Sequence, residues 1–586
     1  MLGKAPAQCA LFSPDNLYVR KIKENSFYRF LSARRHEIFR DDDYASLYCL
    51  NNGRPARAGP PSVLASACVL QAYNRISDDE AVQRATYDVR WAVALGTELA
   101  EQPFAKSTLQ EFRAKLILNE QAKALFQRSL DYARERGHLK NKKMKVAMDT
   151  THILGKGAVK DTYNLLADGI KKLYHCLAQQ AGRSIVEKFK EKFNRYFGRS
   201  FKGDASINWD DEAARRELLT SLAGDARALL SLAQETIATT QQTSDTRSAT
   251  EKINTLREAA SLLSSLLLQD LETAADGQVV IKQGVAKDRI VATTDVEMRH
   301  GRKSSSNRFD GHKAAVATDT DSQLITAVEV VAGNVHDSET ATTLVEATER
   351  NTGNAVEAAI GDCAYGTAAV REQFEHRETE LIAKIPKAPQ RNHFTKHDFM
   401  IDLANNQVTC PAGQTTTTYR LVRLRFGMSG ERRTAKQFSF AAAVCAACPL
   451  RERCIKSKAG DGRKIQLHPR EDLLQQARAA AATESFKARY RERVVVEHSI
   501  ARLVQRGIRK SRYVGKKRTF WQVALAAAVV NLMLIASKDR AKRGDAFSFW
   551  SSLRRWGIAL FEKIDRAQLW RHNFTAWPGR PNFCPA

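Results

Sequence analysis

The sequence is short of three things: cysteine, acidic residues and long apolar runs. Its 586 residues include only 10 cysteines, and 65 Asp plus Glu stand against 92 Lys plus Arg. Cysteine at this density is too sparse for a disulfide scaffold. The longest apolar stretch, residues 523–537, is interrupted by Asn531 and is shorter than the ~20 apolar residues that span a bilayer. It therefore predicts a buried helix and no membrane partner.

The first residues, MLGKAPAQCALFSPDN, lack the apolar core of a signal peptide. Together with the sparse cysteines, this predicts a cytoplasmic protein in a reducing compartment. With 43% hydrophobic and 27% charged residues, the chain can bury a sizeable core, which excludes a disordered or fibrous protein.

The excess of positive charge is large, at a formal net charge of +27 and a pI near 9.7. Such a charge favours a polyanionic partner, with nucleic acid first and an anionic membrane surface second. A generically basic soluble enzyme remains open on charge alone.

The length predicts roughly three to five domains, and the N-terminal part, residues 1–140, has helical periodicity. Ser77 followed by Asp78-Asp79-Glu80 is typical of a helix N-cap. Two apolar stripes at helical spacing predict packed faces. They are Leu64, Cys68, Leu70 and Tyr73, and Leu109, Phe112, Leu116 and Leu118.

The remainder, residues 141–535, alternates strand-like runs with two segments that read as insertions. The first insertion, residues 163–280, is helical and acidic, with 12 acids and 6 bases between Trp209 and Asp276 and a loop near residues 236–250. The second, residues 388–465, bears cysteines. Residues 472–513 and 520–536 predict helices, and residues 536–586 form a basic tail with four tryptophans. Strands are predicted at 144–149, 309–318, 324–331, 355–361 and 380–385, with a helix at 368–377.

Three acids have positions that suggest a function: two lie at the ends of predicted strands, and one lies in a predicted helix rich in bases. Asp149 ends the first strand, Asp362 follows a later strand, and Glu497 lies in a helix among bases and valines. A solvated ion-pair partner is one reading of Glu497. The other is a metal-facing carboxylate. Two strand-end aspartates and a helical glutamate are what a two-metal phosphoryl-transfer site requires, because Mg²⁺ prefers oxygen ligands.

Several blocks carry a family resemblance. They read AMDTT at 147–151, GNVHD at 333–337, IGDCAYG at 360–366 and YRERVVVEH at 490–498, preceded by GRPA at 53–56, ISDDEAV at 76–82 and DVRW at 88–91. In this order, over residues 50–535, they resemble the DDE transposases of bacterial insertion sequences and their helical N-terminal domain.

The resemblance implies an α/β fold, with an RNase H-like mixed-sheet catalytic core, an all-α N-terminal domain and helical and Cys-rich insertions. It implies that Asp149, Asp362 and Glu497 are catalytic and hold two Mg²⁺ or Mn²⁺ ions. Tyr490 and Arg493 match family positions that bind DNA phosphate. Their spacing places them on one face of a helix with Glu497. The family's Lys seven residues after the Glu is here Val504, which departs from the pattern.

Bases surround Glu497, with 12 Lys plus Arg and 2 acids between Lys487 and Arg518, and eight of these bases follow it. A solvated face is one interpretation. Proximity to a phosphoryl-transfer residue favours binding of the DNA backbone instead. The candidate residues are Arg502, Arg506, Arg509 and Lys510.

Four cysteines in the second insertion, Cys410, Cys445, Cys448 and Cys454, could close a structural Zn²⁺ site, since tetrahedral thiolate sets of this kind bind zinc. The alternative is buried reduced cysteine. Cys363 and His336 are expected to be a packing residue and a structural or supporting residue, respectively.

The function predicted is DNA strand cleavage at transposon ends followed by strand transfer into target DNA. The partners expected are terminal inverted repeats, target DNA and a second copy of the chain in a homodimer, in the cytoplasm of a bacterium and associated with the nucleoid. Three alternatives stay open: an RNase H-like nuclease without strand transfer, a catalytically inactive DNA-binding relative, and a zinc-dependent interaction module.

Overall fold

The structure is a computed structural model that describes residues 17–48, 60–140, 142–180, 193–243, 247–304, 306–386, 393–426, 431–456 and 460–542. The GRPA block and all four tail tryptophans, Trp550, Trp556, Trp570 and Trp577, lie outside these ranges.

The N-terminal region is all-helical, as predicted. Its helices are α1 Phe27–Ile38, α2 Pro61–Asn74, α3 Asp78–Tyr87, α4 Val89–Leu95, α5 Lys106–Leu118 and α6 Ala124–Glu135, with short 3₁₀ turns at Val19–Lys21 and Asp41–Leu47. Ser77 caps α3 by accepting a hydrogen bond from the backbone N–H of Glu80 (3.1 Å). Both predicted stripes are packed except at Leu118, whose side chain is 80% exposed, because α5 ends there and turns away from the core.

A mixed sheet of six strands forms the centre of the molecule. Its strands are β1 Met144–Leu154, β4 Arg299–Arg302, β5 Arg308–Asp319, β6 Ile325–Ala332, β7 Val356–Ile360 and β8 Glu380–Ile382. The order is β4-β5-β1-β7-β8, with β6 also paired to β5. β1 runs antiparallel to β5 and parallel to β7. This mixed α/β architecture confirms the predicted fold class.

β1 is longer than its sequence pattern predicted. The alternation ended at Asp149, but the strand continues to Leu154 because residues 150–154 pair with residues 311–315 of β5. Gly311 makes this pairing close: its φ is +151°, and a Cβ there would stand 2.1 Å from the carbonyl oxygen of Ile153. Asp149 therefore lies in the middle of a long strand, with its position fixed from both sides.

The helical insertion follows β1 and has a core of its own. It contains α7 Thr162–Gln180, α8 Phe201–Asp204, α9 Glu212–Thr243 and α10 Arg247–Asp270, and a hairpin of β2 Leu271–Thr273 and β3 Val279–Ile281. The predicted loop near 236–250 is mostly helix, since α9 continues to Thr243 and α10 begins at Arg247. Buried leucines such as Leu166, Leu222 and Leu263 join the helices.

The connection from β6 to β8 contains α11 Ala341–Thr352 and α12 Ala368–Glu375, with 3₁₀ turns at Asp337–Thr340 and Cys363–Gly366. The Cys-bearing region that follows β8 has two small sheets. They consist of β9 Met400–Asp402, β10 Gln407–Thr409 and β11 Thr415–Thr416, and of β12 Tyr419–Phe426, β13 Glu431–Ser439 and β14 Lys464–Gln466. Two short helices, α13 Ala442–Ala446 and α14 Arg451–Cys454, carry Cys445 and Cys454, and Cys448 lies between them.

Four helices complete the described chain: α15 Glu471–Ala482, α16 Glu484–Arg491, α17 Val494–Gln505 and α18 Lys516–Lys542. α18 packs against both the N-terminal helices and β6, so the two regions share one apolar core. By length and composition α18 could cross a membrane, but 83% of its most apolar window is buried inside the structure, as in a core helix.

Asn531, which interrupts the apolar run of α18, has a structural role. Its side-chain Oδ1 accepts from the backbone N–H of Ile325 (2.9 Å), and its Nδ2 donates to the carbonyl oxygen of Ile325 (2.9 Å). A buried strand end must have its backbone groups paired, and the amide supplies both partners. Helix α18 thus supplies hydrogen-bond partners to the first residue of β6.

Candidate active site

Two of the three predicted acids lie at matching levels, Asp149 within β1 and Asp362 just beyond the end of the neighbouring parallel strand β7. The register pairs Ala147 of β1 with Ile360 of β7. Asp149 and Asp362 each follow two residues later, so both lie at the same level and on the same face of the sheet. Adjacent strands are about 4.8 Å apart, and the Asp362 carboxylate is close enough to raise the pKa of Asp149.

The Asp149 carboxyl is in an environment that disfavours its charge. Burial raises its pKa to about 6, and its side chain is only 24% exposed. A hydrogen bond from the backbone N–H of Thr150 (2.7 Å) and the guanidinium of Arg493 oppose this increase, whereas the carboxylates of Asp362 and Asp337 add to it. The raised pKa therefore comes first from burial and then from the neighbouring carboxylates.

Asp362 is held by the turn that follows β7. Its Oδ1 accepts from the backbone N–H of Ala364 (2.8 Å), which begins the 3₁₀ turn Cys363–Gly366. The buried ring of Tyr365 packs under this turn, and a Cβ on Gly361 would stand 2.7 Å from that ring. Cys363, expected to be a packing residue, is exposed instead, because the turn directs it to solvent.

The helix that carries Glu497 is broken, which the sequence did not predict. α16 ends at Arg491, α17 begins at Val494, and the N–H groups of Arg493 and Val496 bond three residues back, to Tyr490 and Arg493. Such a tight turn is 3₁₀ geometry. Glu497 thus lies in the first turn of α17 rather than mid-helix.

Tyr490, Arg493 and Glu497 nevertheless face one another across this break. The Arg493 guanidinium lies over the Tyr490 ring, 5.9 Å from its centroid, and its Nη2 donates to the Glu497 carboxylate. Its Nη1 is 3.7 Å from Oδ2 of Asp149. Burial by itself would lower the pKa of Arg493, but Glu497, Tyr490 and Asp149 together outweigh it and the pKa is raised. Arg493 therefore joins the helix side of the site to the sheet side.

A fourth carboxylate, Asp337, belongs to the same electrostatic environment. Its Oδ1 accepts from Nζ of Lys313 on β5 (2.8 Å), and that ammonium also donates to the carbonyl oxygen of Val335 (2.8 Å). Asp337 contributes to the raised pKa of Asp149. Asp337 is the last residue of the GNVHD block, which is the sequence signal for this position.

His336 has a structural role, in line with expectation. It caps the 3₁₀ turn Asp337–Thr340: its Nδ1 accepts from the backbone N–H of Ser338, and the Glu339 side chain accepts from the His336 backbone N–H. The cap orients Asp337 at the start of the turn.

Tyr490 also belongs to an aromatic and cationic group on the strand side. Its ring stacks on Phe486, with centroids 5.7 Å apart, and Nζ of Lys384, just after β8, lies 4.6 Å from the ring centroid. Both Lys384 and Arg493 therefore contact one ring beside Asp362. Lys384 has no sequence signal that would have identified it.

Three of the predicted DNA-binding arginines are engaged inside the fold. Arg506 donates to the carbonyl oxygen of Tyr73 in α2 (2.7 Å), and Arg509 donates to Oγ1 of Thr151 (3.0 Å). Arg502 is half-buried, and burial lowers its pKa. These contacts connect the segment after α17 to β1 and to the N-terminal helices. DNA binding by these arginines stays a prediction.

Lys510 differs from these arginines because its side chain is exposed, while its backbone forms a bridge with Leu154 at the end of β1. Val504, where the family has Lys, is half-buried against the central apolar core. A charged side chain there would have to leave that core, which accounts for a valine in this chain.

The four cysteines of the second insertion line one small cavity of about 30 Å³. Sγ of Cys445 accepts from the backbone N–H of Arg463 (3.4 Å). Burial raises the pKa of the Cys454 thiol, Arg463 lowers it, and Cys445, Cys410 and Cys448 each raise it further. The four thiols are thus close enough to influence one another.

Within the described residues, no group of three or more His, Cys, Asp or Glu side chains is arranged to hold a metal ion. At the acidic site, the Arg493 guanidinium lies between Asp149 and Glu497. Ion binding there requires this side chain to turn away, for which its helix side is open: Glu497 is 43% exposed.

Comparisons with known proteins connect two segments to transposases. Residues 409–536 match the family model "Transposase DDE domain", and residues 17–115 match "Transposase domain (DUF772)". The first match contains the four cysteines, Tyr490, Arg493 and Glu497, while Asp149 and Asp362 precede it. No curated protein and no solved structure matches the chain. The matches confirm the resemblance to DDE transposases.

Proposed function

We propose that this chain, a transposase with an N-terminal DUF772 domain and a DDE domain, cleaves DNA strands at transposon ends and joins them to target DNA by two-metal phosphoryl transfer. The single observation that carries the proposal is the Arg493 bridge. One guanidinium contacts Asp149 on the sheet and Glu497 on the helix, so residues far apart in sequence share one cleft.

The residues present fit divalent cations. Asp149, Asp362 and Glu497 offer only oxygen donors, which Mg²⁺ and Mn²⁺ prefer. The raised pKa of Asp149 reflects burial and crowding with Asp362 and Asp337, which bound positive charge would relieve. When bound, two such ions activate the attacking oxygen and stabilise the leaving oxygen of the phosphodiester.

The cationic side chains of the site have a role separate from metal binding, which is to contact the DNA phosphate. Arg493 presents a planar fork that suits phosphate oxygens, and its present partners are the carboxylates that ions would occupy. We propose that Arg493 moves to the scissile phosphate as metal enters. Tyr490 and Lys384 are beside it, and the tyrosine hydroxyl can donate a further hydrogen bond to the same phosphate.

Asp149→Asn tests the function directly. The amide keeps the size of the side chain and removes its charge, so cleavage of a transposon-end duplex should fall by about 10²–10³-fold or more, while binding of that duplex is retained. Glu357→Gln, an exposed residue of β7, is the matched control and should cleave normally. Undiminished cleavage by Asp149→Asn would remove that residue from the site.

Two alternatives make different predictions in the same assay. A nuclease of this fold would cut the end without joining it to a second duplex, so strand transfer must be measured separately from hydrolysis. An inactive relative would bind the terminal repeats and cut neither strand. Because all four site side chains, Asp149, Asp362, Arg493 and Glu497, are present, we favour the active transposase.

We also propose that Cys410, Cys445, Cys448 and Cys454 bind one structural Zn²⁺. Their thiols line one cavity, and the backbone N–H of Arg463 at Cys445 is the kind of donor that stabilises a thiolate. The purified chain should contain about one zinc, as four thiolates complete one tetrahedral site. Cys445→Ser/Cys448→Ser should lose it, and Cys363→Ser should not. A chain that carries no zinc when synthesised in zinc-replete cells would contradict the assignment.

Two ends must be held together for transposition, so we propose a homodimer that acts on bacterial nucleoid DNA in the cytoplasm. Sedimentation of the chain with two end duplexes tests the stoichiometry, and a single chain per pair of ends would contradict it. Cell fractionation tests the location, which recovery of the chain away from the nucleoid would contradict.

A further inference from the structure

The β12–β13 hairpin of the Cys-bearing region presents a basic surface that the proposed active site does not use. Its register pairs Leu421 with Lys436, Arg423 with Thr434, and Arg425 with Arg432. Directly paired residues and every second residue along a strand share one face. We call this surface the ribbon face; it consists of Leu421, Arg423, Arg425, Arg432, Thr434 and Lys436.

The ribbon face is directed to solvent, and the opposite face is packed. Arg423, Arg425 and Arg432 are exposed, and Leu421 is 64% exposed. On the opposite face, the Phe426 ring lies 4.7 Å from His468, and Arg433 forms an ion pair with Glu372 of α12. The hairpin is thus anchored on one side only.

The charge of the ribbon face is not neutralised by the rest of the described chain. Neither an ion pair nor a side-chain hydrogen bond joins Arg423, Arg425 or Arg432 to any residue that the structure describes, and no acid is among the six members of the face. Lys436 contacts Asn406 and the Tyr419 ring, which are both uncharged. Three unpaired guanidiniums and one ammonium therefore face solvent together.

We propose that the ribbon face binds the sugar–phosphate backbone of the target duplex. The inference rests on the proposed transposase function, because it assigns this surface to the second DNA that strand transfer requires. Arg423 and Arg425 are about 7 Å apart along the strand, and a DNA strand carries one phosphate per about 3.4 Å of axis. A two-stranded ribbon also has the width to enter a major groove.

The chemistry of the face selects the target rather than the transposon end. Contacts to phosphate position a protein on DNA without reading its sequence. Arginine can read guanine in a major groove, but no hydrogen bond or ion pair within the described residues orients Arg423, Arg425 or Arg432 for such a contact, and the face offers mainly positive charge. It therefore suits a duplex whose sequence changes from one event to the next.

The experiment compares the full-length double variant Arg423→Gln/Arg425→Gln with a matched control, Arg227→Gln/Arg257→Gln. The control removes two exposed arginines of the helical insertion, so net charge changes equally. Binding to a random-sequence duplex and to the end duplex is measured over a range of salt concentrations. Cleavage and strand transfer are measured in parallel.

For the ribbon variant, affinity for the random duplex should fall about tenfold and its logarithmic salt dependence should decrease by about 1.8, since each phosphate contact contributes about 0.9. Strand transfer should fall with it, while end binding and end cleavage stay within about twofold. Arg423→Lys/Arg425→Lys keeps the charge and should recover most of the affinity.

An unchanged salt dependence, an equal loss in the control, or a loss confined to the end duplex would overturn the proposal. So would a loss seen with RNA and absent with DNA. Failure of the ribbon proposal is distinct from failure of the proposed function. If the wild-type chain cleaves ends while the ribbon variant behaves normally, only the ribbon assignment is wrong. If the wild-type chain never cleaves yet the ribbon variant binds DNA weakly, only the catalytic function is wrong.

Discussion

The candidate site has a sheet side and a helix side, and the two are held by different means. On the sheet side, the register of β1 and β7 and backbone N–H groups fix Asp149 and Asp362. On the helix side, a 3₁₀ break separates Tyr490 from Glu497. Arg493 contacts both residues, through the tyrosine ring and through a hydrogen bond to the carboxylate. The sheet side is therefore preorganised, whereas the helix side can rearrange when a substrate replaces its internal contacts.

The largest expected effect tests whether the preorganised side is essential. Asp362→Asn should reduce strand cleavage by about 10²–10³-fold or more, because it removes one negative charge while the amide oxygen still caps the turn at Ala364. Gel analysis of a labelled end duplex measures the effect. Glu378→Gln, on the loop before β8, is a control that should cleave normally. Near-normal cleavage by Asp362→Asn would show that the sheet side does not carry the reaction.

A smaller effect, on pH dependence, tests the link between the two sides. Protonation of Asp149 near its pKa of about 6 should reduce cleavage as the pH falls through 6, since metal binding needs the carboxylate. Arg493 lowers that pKa, so Arg493→Gln should move the acid limb of the pH–rate profile to higher pH. Arg491→Gln, which removes an exposed arginine at the end of α16, should leave the limb in place. A common limb for all three chains would mean that the two sides are independent.

The smallest effect concerns the free energy of unfolding. The pKa of Asp149 is raised on folding, so between about pH 4 and 6 the folded state binds more protons than the unfolded state, and stability falls as the pH rises. Asp149→Asn has no carboxylate to ionise in the buried site, so its free energy of unfolding should be greater by about 1–3 kcal/mol at pH 7. The gain should vanish near pH 3. Denaturant midpoints at both pH values measure it, with Glu497→Gln, on the exposed helix side, expected to change little. A less stable Asp149→Asn chain would contradict the buried, crowded environment.

Much of the fold was predictable because local patterns coincide with elements. The alternation before Asp149, the short apolar run before Asp362 and the Ser77 cap each reflect a local preference that the tertiary structure does not override. The extension of β1 to Leu154 was not predictable, because it depends on pairing with a strand more than 150 positions later.

The partners of charged side chains were the least predictable part of the site. The base run after Glu497 reads as one surface, but Arg506 and Arg509 have their acceptors at Tyr73 and Thr151. A sequence pattern shows that a side chain is charged, but it does not show which distant oxygen accepts its hydrogen bond. The Lys313–Asp337 ion pair was not predictable for the same reason, since its two residues lie on separate elements.

The amide of Asn531 has a consequence for the order in which the molecule is made. It pairs both backbone groups of Ile325 at the start of β6 and reaches Ser129 of α6 at 3.3 Å. These groups therefore lack their partner until residue 531 has been synthesised. A nascent chain released before that point by a frameshift or a premature stop would expose an open strand edge and an apolar N-terminal surface to the quality-control proteases. Truncated copies should accordingly be degraded rather than accumulate as competitors of the intact protein.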